Sequence, residues 1–157
     1  MRLVLIVALL GLLATPARAE LSGAVDGRAL IGLDGRAGGA VMLDVWALRG
    51  TWRPGGCFGM GGLSSHDSAS SRLISPFGLS LAFVPWPAGS SLFVVARGGG
   101  YVGVEKGGFL AGGFAGGALG YALDLGEGSS VRFAVNTWVL IGARGGLFLG
   151  PSVGLGF

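Results

Sequence analysis

The sequence predicts an all-β fold, an eight-stranded antiparallel up-and-down β-barrel that crosses a membrane with its strands. Three observations lead to this fold class. Only 12% of the 157 residues are charged although 51% are hydrophobic. Short segments alternate large apolar residues with small or polar ones, which is the pattern of strands with two different faces. After the first segment, no apolar stretch approaches the ~20 residues of a membrane helix.

The first segment, residues 1–19, is a predicted signal peptide. Arg2 supplies the positive start, Leu3 to Leu13 form the apolar region, and Ala17-Arg18-Ala19 is a cleavage site before Glu20. The apolar region is too short to span a bilayer as a helix, which makes an uncleaved anchor the weaker interpretation. Residues 20–157 then form one domain, the predicted barrel.

The charge balance of residues 20–157 gives no indication of a nucleic-acid partner. Removal of Arg2 and Arg18 from the 11 basic residues leaves nine against eight acidic ones, and no basic cluster is present. Cys57 is the single cysteine, so an internal disulfide is impossible. We interpret it as a small apolar strand residue.

Four strands are predicted in the first half of the barrel. The first, about Ser22–Leu33, and the third, about Gly56–Ser64, alternate only weakly because both of their faces carry small residues. The second, Val41–Leu48, places valine and leucine on one face and Asp44 on the other. The fourth, Leu73–Phe83, has leucine and phenylalanine on one face and glycine, serine and alanine on the other.

The fifth and sixth strands are predicted at Leu92–Val104 and Phe109–Leu123. In the fifth, Arg97 and Tyr101 lie on the face opposite Val94, Val102 and Val104, and Glu105 continues the face of Arg97. The sixth has one chargeless face of aromatic residues, alanine and leucine. Glycines at a spacing of four within residues 107–120 would also suit a closely packed helix, but the alternation with large residues favours a strand.

The last two strands are predicted at Val131–Ile141 and Leu147–Phe157. In the first of these, valines 135 and 139 share an apolar face, whereas Arg132 and Asn136 share the other. Leu147–Phe157 repeats the alternation, with glycine and serine between the large apolar residues. These two segments are the clearest evidence for a wall with an apolar outside.

Breaks rich in glycine and proline separate the predicted strands, and one longer polar loop is predicted at Ser64–Arg72. The breaks lie at Asp34–Arg36, Arg53–Gly55, Pro85–Gly89, Glu105–Gly108, Gly126–Ser130 and Gly142–Gly146.

Strands in lipid imply closure, because an open sheet edge would leave backbone N–H and C=O groups without partners. An eight-stranded barrel is narrow, so its inward side chains fill the interior. We expect the inward charges to form salt bridges that plug this lumen, with Arg132 pairing Asp44 or Glu105; the alternative is a lined path for ions or solutes. The predicted inward charges are Asp44, Arg97, Glu105, Asp124 and Arg132.

The last predicted strand carries Val153, Leu155 and the terminal Phe157 on one face. This arrangement resembles the terminal assembly signal of bacterial outer-membrane barrels. The overall plan is similar to the small eight-stranded families, namely the OmpX type and the membrane domain of OmpA, although those families carry longer surface loops. The resemblance implies a Gram-negative outer membrane, with the lipid bilayer, the barrel-assembly machinery and periplasmic chaperones as partners.

An even number of strands places both ends of the barrel domain on one side, which the resemblance makes the periplasmic side. Aromatic residues concentrate near that end, as expected for an interfacial girdle. They are Trp52, Phe83, Trp86, Tyr121 and Phe157.

No motif in the sequence establishes an enzyme, a metal site or a cofactor site. His66-Asp67-Ser68 has the residue types of an acyl-transfer site, but three adjacent residues in one loop cannot easily form the hydrogen-bonded series that a triad needs. We predict a structural or interaction barrel without enzyme activity. The alternatives are a lipid-modifying barrel enzyme and a soluble, lipocalin-like periplasmic barrel with an apolar interior.

Overall fold

The computed structural model describes residues 21–47, 50–65, 68–142 and 145–157. It contains all eight predicted strands, and among these residues there is no helix long and apolar enough to cross a membrane. The strands are β1 (Ser22–Gly32), β2 (Arg36–Trp46), β3 (Trp52–Ser65), β4 (Ser68–Phe83), β5 (Ser91–Glu105), β6 (Gly108–Gly126), β7 (Ser129–Ile141) and β8 (Gly146–Gly156).

Every strand pairs antiparallel with the strand before and after it, and β1 pairs with β8 to close the barrel. At this seam the Gly23 amide donates to the Phe157 carbonyl over 2.7 Å, and the Phe157 amide donates to the Gly23 carbonyl over 2.9 Å. Closure gives both edges of the sheet a hydrogen-bonding partner. The predicted up-and-down barrel is confirmed.

Tight turns join the strands where the sequence predicts most of the breaks. Lys106 and Gly107 have φ angles of 51° and 76°, and Glu127 and Gly128 have φ angles of 53° and 79°. Positive φ at two successive residues is the signature of the two-residue turn that matches the twist of antiparallel strands. We call the end with the 127–128 turn, where β1 begins and β8 ends, the terminal end, and the opposite end the far end.

Two of the predicted loops are wrong, and the strand predicted for the glycine-rich segment is confirmed. Arg53-Pro54-Gly55 belongs to β3 rather than to a turn. Although Pro54 has no N–H to donate, its carbonyl accepts a hydrogen bond of 3.0 Å from the Ala47 amide. The predicted polar loop is mostly strand: β4 already begins at Ser68, and Arg72 is buried opposite Glu105 of β5. The helical alternative for residues 107–120 fails, since residues 108–120 lie within the 19-residue strand β6.

The two faces of the wall differ in chemistry as the alternation predicts. On β7, Val135 is 63% exposed and Asn136 only 1%. The outer face carries large apolar side chains on all eight strands, whereas seven charged side chains are buried among the described residues. A lipocalin-like barrel needs the reverse arrangement, with an apolar interior and a polar exterior, so the structure speaks against that alternative.

Inward glycines make room for aromatic rings in the interior. A Cβ atom on Gly112 would lie 2.7 Å from a ring carbon of Tyr101, and a Cβ atom on Gly120 would lie 2.6 Å from a ring carbon of Phe93. Both rings are buried. Glycine on β6 therefore lets large side chains of β5 fold across the neighbouring strand, which fills a narrow barrel without strain.

Candidate functional site: the barrel interior

An ion pair joins opposite walls of the barrel. Nε of Arg97 on β5 donates to Oδ1 and Oδ2 of Asp44 on β2 over 2.9 and 3.2 Å, and Nη2 donates to Oδ2 over 2.6 Å. Both side chains are buried. Two nitrogens on two oxygens is the fork geometry that makes an arginine–carboxylate pair strong and directional.

Two residues of β1 extend this pair into a cluster. Oδ2 of Asp26 lies 3.7 Å from Nη2 of Arg97 and 3.8 Å from Nη2 of Arg28. The guanidinium of Arg28 lies 5.3 Å from the ring centre of Trp138, within reach of a cation–π interaction. We call Asp26, Arg28, Asp44 and Arg97 the charge cluster.

Asp26 and Arg28 were not among the predicted site residues. The sequence of β1 has small residues on both faces, so its alternation does not show which face points inward. A signal was present nonetheless, because Asp26 and Arg28 stand two residues apart and must share a face of a strand.

The charge cluster lies between two apolar clusters along the barrel axis. On β1, Ala24 belongs to the apolar cluster toward the terminal end and Leu30 to the one toward the far end, with Asp26 and Arg28 between them. On β2, Asp44 likewise stands between Trp46 and Met42. The interior is therefore arranged as apolar, charged and apolar layers.

A neutral hydrogen bond accompanies the charge cluster. On β7, Asn136 lies between Ala134, which packs on the terminal-end cluster, and Trp138, which belongs to the far-end cluster. Its Nδ2 donates to Oγ of Ser152 on β8 over 2.7 Å. Three neighbouring strands, β7, β8 and β1, thus each contribute polar groups to the interior.

Glu105 forms a separate ion pair near the far end. Its Oε1 lies 3.6 Å from Nη2 of Arg72 on β4, and both side chains are buried. The pair stands beside the Lys106-Gly107 turn, where β5 ends.

Arg132 is buried but forms no ion pair within the described part of the chain. The sequence suggested Asp44 or Glu105 as its partner, but these acids pair with Arg97 and Arg72 instead. The Arg132 guanidinium lies 4.0 Å from the ring centre of Phe93 and 5.4 Å from that of Trp46. Its Nη1 has no hydrogen-bond partner among the residues that the structure describes.

Asp124 is exposed at the terminal end rather than inside the barrel, unlike the other four predicted inward charges. The reason is the length of β6, since Ala122 pairs with Ser91, the first residue of β5, and Asp124 extends beyond it. Its carboxylate accepts a hydrogen bond of 2.9 Å from the Gly126 amide and so stabilises the turn to β7.

A cavity of about 330 Å³ opens at the terminal end. Its apolar lining includes Trp46, Phe93, Ala82 and Val84, and its charged lining includes Arg132. The polar part of the wall also includes Arg53, Asp124, Glu127 and the serines at 22, 91, 129 and 130. The cavity ends at the apolar cluster that contains Trp46 and Phe93.

The described residues offer no candidate metal site. They contain no group of three or more potential metal ligands. The Sγ of Cys57 is buried and lies 3.6 Å from the Leu79 carbonyl oxygen. His66 and Asp67 lie outside the described residues, as do the predicted cleavage-site residues Ala17, Ala19 and Glu20.

Of the predicted assembly residues, Val153 and Leu155 lie on the outer face of β8, and Phe157 directly follows the strand. Val153, Leu155 and Phe157 are each more than half exposed on the outside of the barrel. The aromatic residues Trp52, Trp86 and Phe157 are also exposed, and the rings of Trp52 and Phe83 are 4.6 Å apart.

No protein-family model matches the chain, and no curated protein matches it. Among solved structures, it is similar to Neisserial surface protein A, with a TM-score of 0.65 and 10% identity over 87% of this chain and 94% of that one. The N-terminal β-barrel domain of Pseudomonas aeruginosa OprF is also similar, with a TM-score of 0.51 and 12% identity over 87% and 97% of the two chains. The fold is that of the small outer-membrane barrels.

Proposed function

We propose that this chain is an outer-membrane β-barrel with a structural or interaction role, whose interior is sealed by its own side chains. The observation that carries the proposal is the charge cluster bounded by two apolar clusters. A conducting pore of this fold would need a continuous polar path, and the apolar layers interrupt it.

The pairing of charges supports a plug rather than an ion path. The Asp44 carboxylate engages two nitrogens of Arg97, so neither group is left to exchange ligands with a passing ion. Removal of one partner from a buried pair is costly, about 3–5 kcal/mol, because the other charge is left uncompensated. An ion moving through would have to pass this pair and two packed apolar clusters.

The outer face supports the bilayer as the surrounding medium. Large apolar side chains cover it on every strand, and a soluble protein rarely exposes so extensive an apolar surface. A signal peptide cleaved before Glu20, periplasmic chaperones and the barrel-assembly machinery complete this proposal, with Val153, Leu155 and Phe157 as the signal read by that machinery. We propose no enzyme activity, cofactor or nucleic-acid partner.

Conductance in planar lipid bilayers tests the sealed interior. The refolded wild-type barrel should give no current steps under conditions in which a general porin conducts. Arg97→Ala removes the ion pair that joins the two walls and should produce intermittent steps. Arg36→Ala is the matched control, because its ion pair with Asp34 is partly exposed at the far end, and this variant should remain silent.

Steady current steps from the wild-type barrel, with a frequency unchanged in Arg97→Ala, would contradict the plug. They would support the alternative in which the inward charges line a path for ions or solutes.

A further inference from the structure

We infer that the cavity at the terminal end is a binding site for a small apolar monocarboxylate, with the Arg132 guanidinium as its anchor. This inference goes beyond the sealed interior, because the cavity lies between the apolar cluster of Trp46 and Phe93 and the solvent at the terminal end.

Among the described residues, Arg132 is the buried arginine that has no carboxylate within ion-pair distance. Among the described residues the buried acids are Asp26, Asp44 and Glu105, and the buried arginines are those at 28, 72, 97 and 132. The three acids each lie within 4 Å of one of the first three arginines. The described interior therefore holds one more buried arginine than buried acids, and Arg132 is the one without a carboxylate within 4 Å.

An uncompensated buried guanidinium needs an anion or ordered water, because burial of an unpaired charge is costly. Arg132 is only 6% exposed and lines the cavity. Its Nη1 has no hydrogen-bond partner among the described residues, and the guanidinium lies over the rings of Phe93 and Trp46. An arginine that stacks on aromatic rings points its N–H groups outward in the plane of the guanidinium. A carboxylate there can accept hydrogen bonds from two of them.

The rest of the lining determines the ligand class. Trp46, Phe93, Ala82 and Val84 offer apolar surface beside Arg132, which favours a hydrocarbon or aromatic body on the ligand. Asp124 and Glu127 also line the cavity. Their carboxylates repel a phosphate dianion more strongly than they repel a monocarboxylate. A volume of about 330 Å³ is at the small end of ligand sites.

Fluorescence quenching in lipid nanodiscs tests this site, with 3-(4-bromophenyl)propionate as the probe. Bromine quenches tryptophan at short range, and Trp46 is the tryptophan that lines the cavity. We expect saturable quenching that disappears in Trp46→Phe. The neutral amide of the probe should bind at least roughly tenfold more weakly than the acid. The amide has no carboxylate to accept charge-assisted hydrogen bonds from Arg132.

Variants separate the anchor from general effects of charge. Arg132→Gln should weaken binding roughly tenfold or more, whereas Arg132→Lys keeps the charge and should lose less. Arg36→Gln changes the same charge at the far end and should bind as wild type. Each variant is first checked for folding by its gel mobility before and after heating.

The comparison of acid and amide on the wild-type barrel needs no variant to fold. Equal quenching by both compounds, or quenching that rises linearly with concentration, would overturn the proposal and indicate partition into lipid. Tighter binding of inorganic phosphate, measured by its displacement of the probe, would overturn the monocarboxylate class.

Discussion

Single residues on β7 show how the period-two pattern determines side-chain position. Val135 and Asn136 are neighbours in the chain, yet one is 63% and the other 1% exposed. This division could be predicted from the sequence because successive strand residues point to opposite faces, and one face is rich in β-branched residues.

Val135→Arg should strongly destabilise the barrel. Val135 stands in the middle of β7, and an arginine on the lipid-facing side near the bilayer midplane costs about 2–4 kcal/mol. Asn136→Ser is the matched inward change; it loses the hydrogen bond to Ser152 and should cost about 1 kcal/mol. The free energy of unfolding from lipid vesicles, followed by tryptophan fluorescence, measures both.

Arg132→Ala extends the same comparison. Because no acid pairs with Arg132 among the described residues, its removal leaves no carboxylate without a partner, and the cost should stay below that of Val135→Arg. Equal destabilisation of the barrel by Asn136→Ser and by Val135→Arg would contradict the assignment of the two faces.

The identities of ion-pair partners could not be predicted from the sequence. Asp44 and Arg97 are 53 residues apart and belong to β2 and β5, so their meeting depends on how the strands tilt and stagger around the barrel. The alternation places a side chain inside but does not set its height along the axis. For this reason the expected pairing of Arg132 with Asp44 or Glu105 is wrong, although four of the five predicted inward charges are buried.

Whole strands were predicted more reliably than their ends. All eight predicted segments correspond to strands, but β3 and β4 run further than expected at their polar ends. Serine-rich sequence and Arg53-Pro54-Gly55 have the local composition of turns. In the closed barrel these residues pair with a neighbouring strand, Ser71 with Ser64 of β3 and Arg53 with Ala82 of β4, and the available ladder hydrogen bonds override the local preference.

The last strand carries an element-scale prediction about assembly. Deletion of Phe157 should slow insertion and leave more precursor to periplasmic proteases, because it removes the terminal aromatic of the proposed signal. Pulse-labelling followed by proteolysis of intact cells measures the rate. Phe157→Tyr is the control that keeps an aromatic ring and should insert nearly as the wild type does.

Loss of Phe157 also removes two hydrogen bonds with Gly23, so slow insertion could reflect a weaker seam. Refolding of the same variant into lipid vesicles, without assembly machinery, separates the two effects. An insertion rate equal to that of the wild type in cells would contradict the signal.

The whole molecule has an apolar exterior and buries charged side chains in the interior, which makes its location testable in one experiment. Expressed in a Gram-negative host, the mature chain should begin at Glu20 and co-fractionate with outer membranes. Unheated samples should migrate differently on a gel from heated ones, because a closed barrel resists detergent unfolding. Recovery of the folded chain in the soluble periplasmic fraction would contradict the membrane location.

The seam between β1 and β8 has a consequence for how the barrel forms. Neighbouring strands meet across short turns, but pairing of Val25 with Leu155 closes a loop of nearly the whole domain. Among the strand pairings, those of this seam carry the largest loop-closure entropy. Any partial barrel would expose two unpaired strand edges to lipid. The eight strands should therefore form and break as one cooperative unit, with the seam as the last ladder to close.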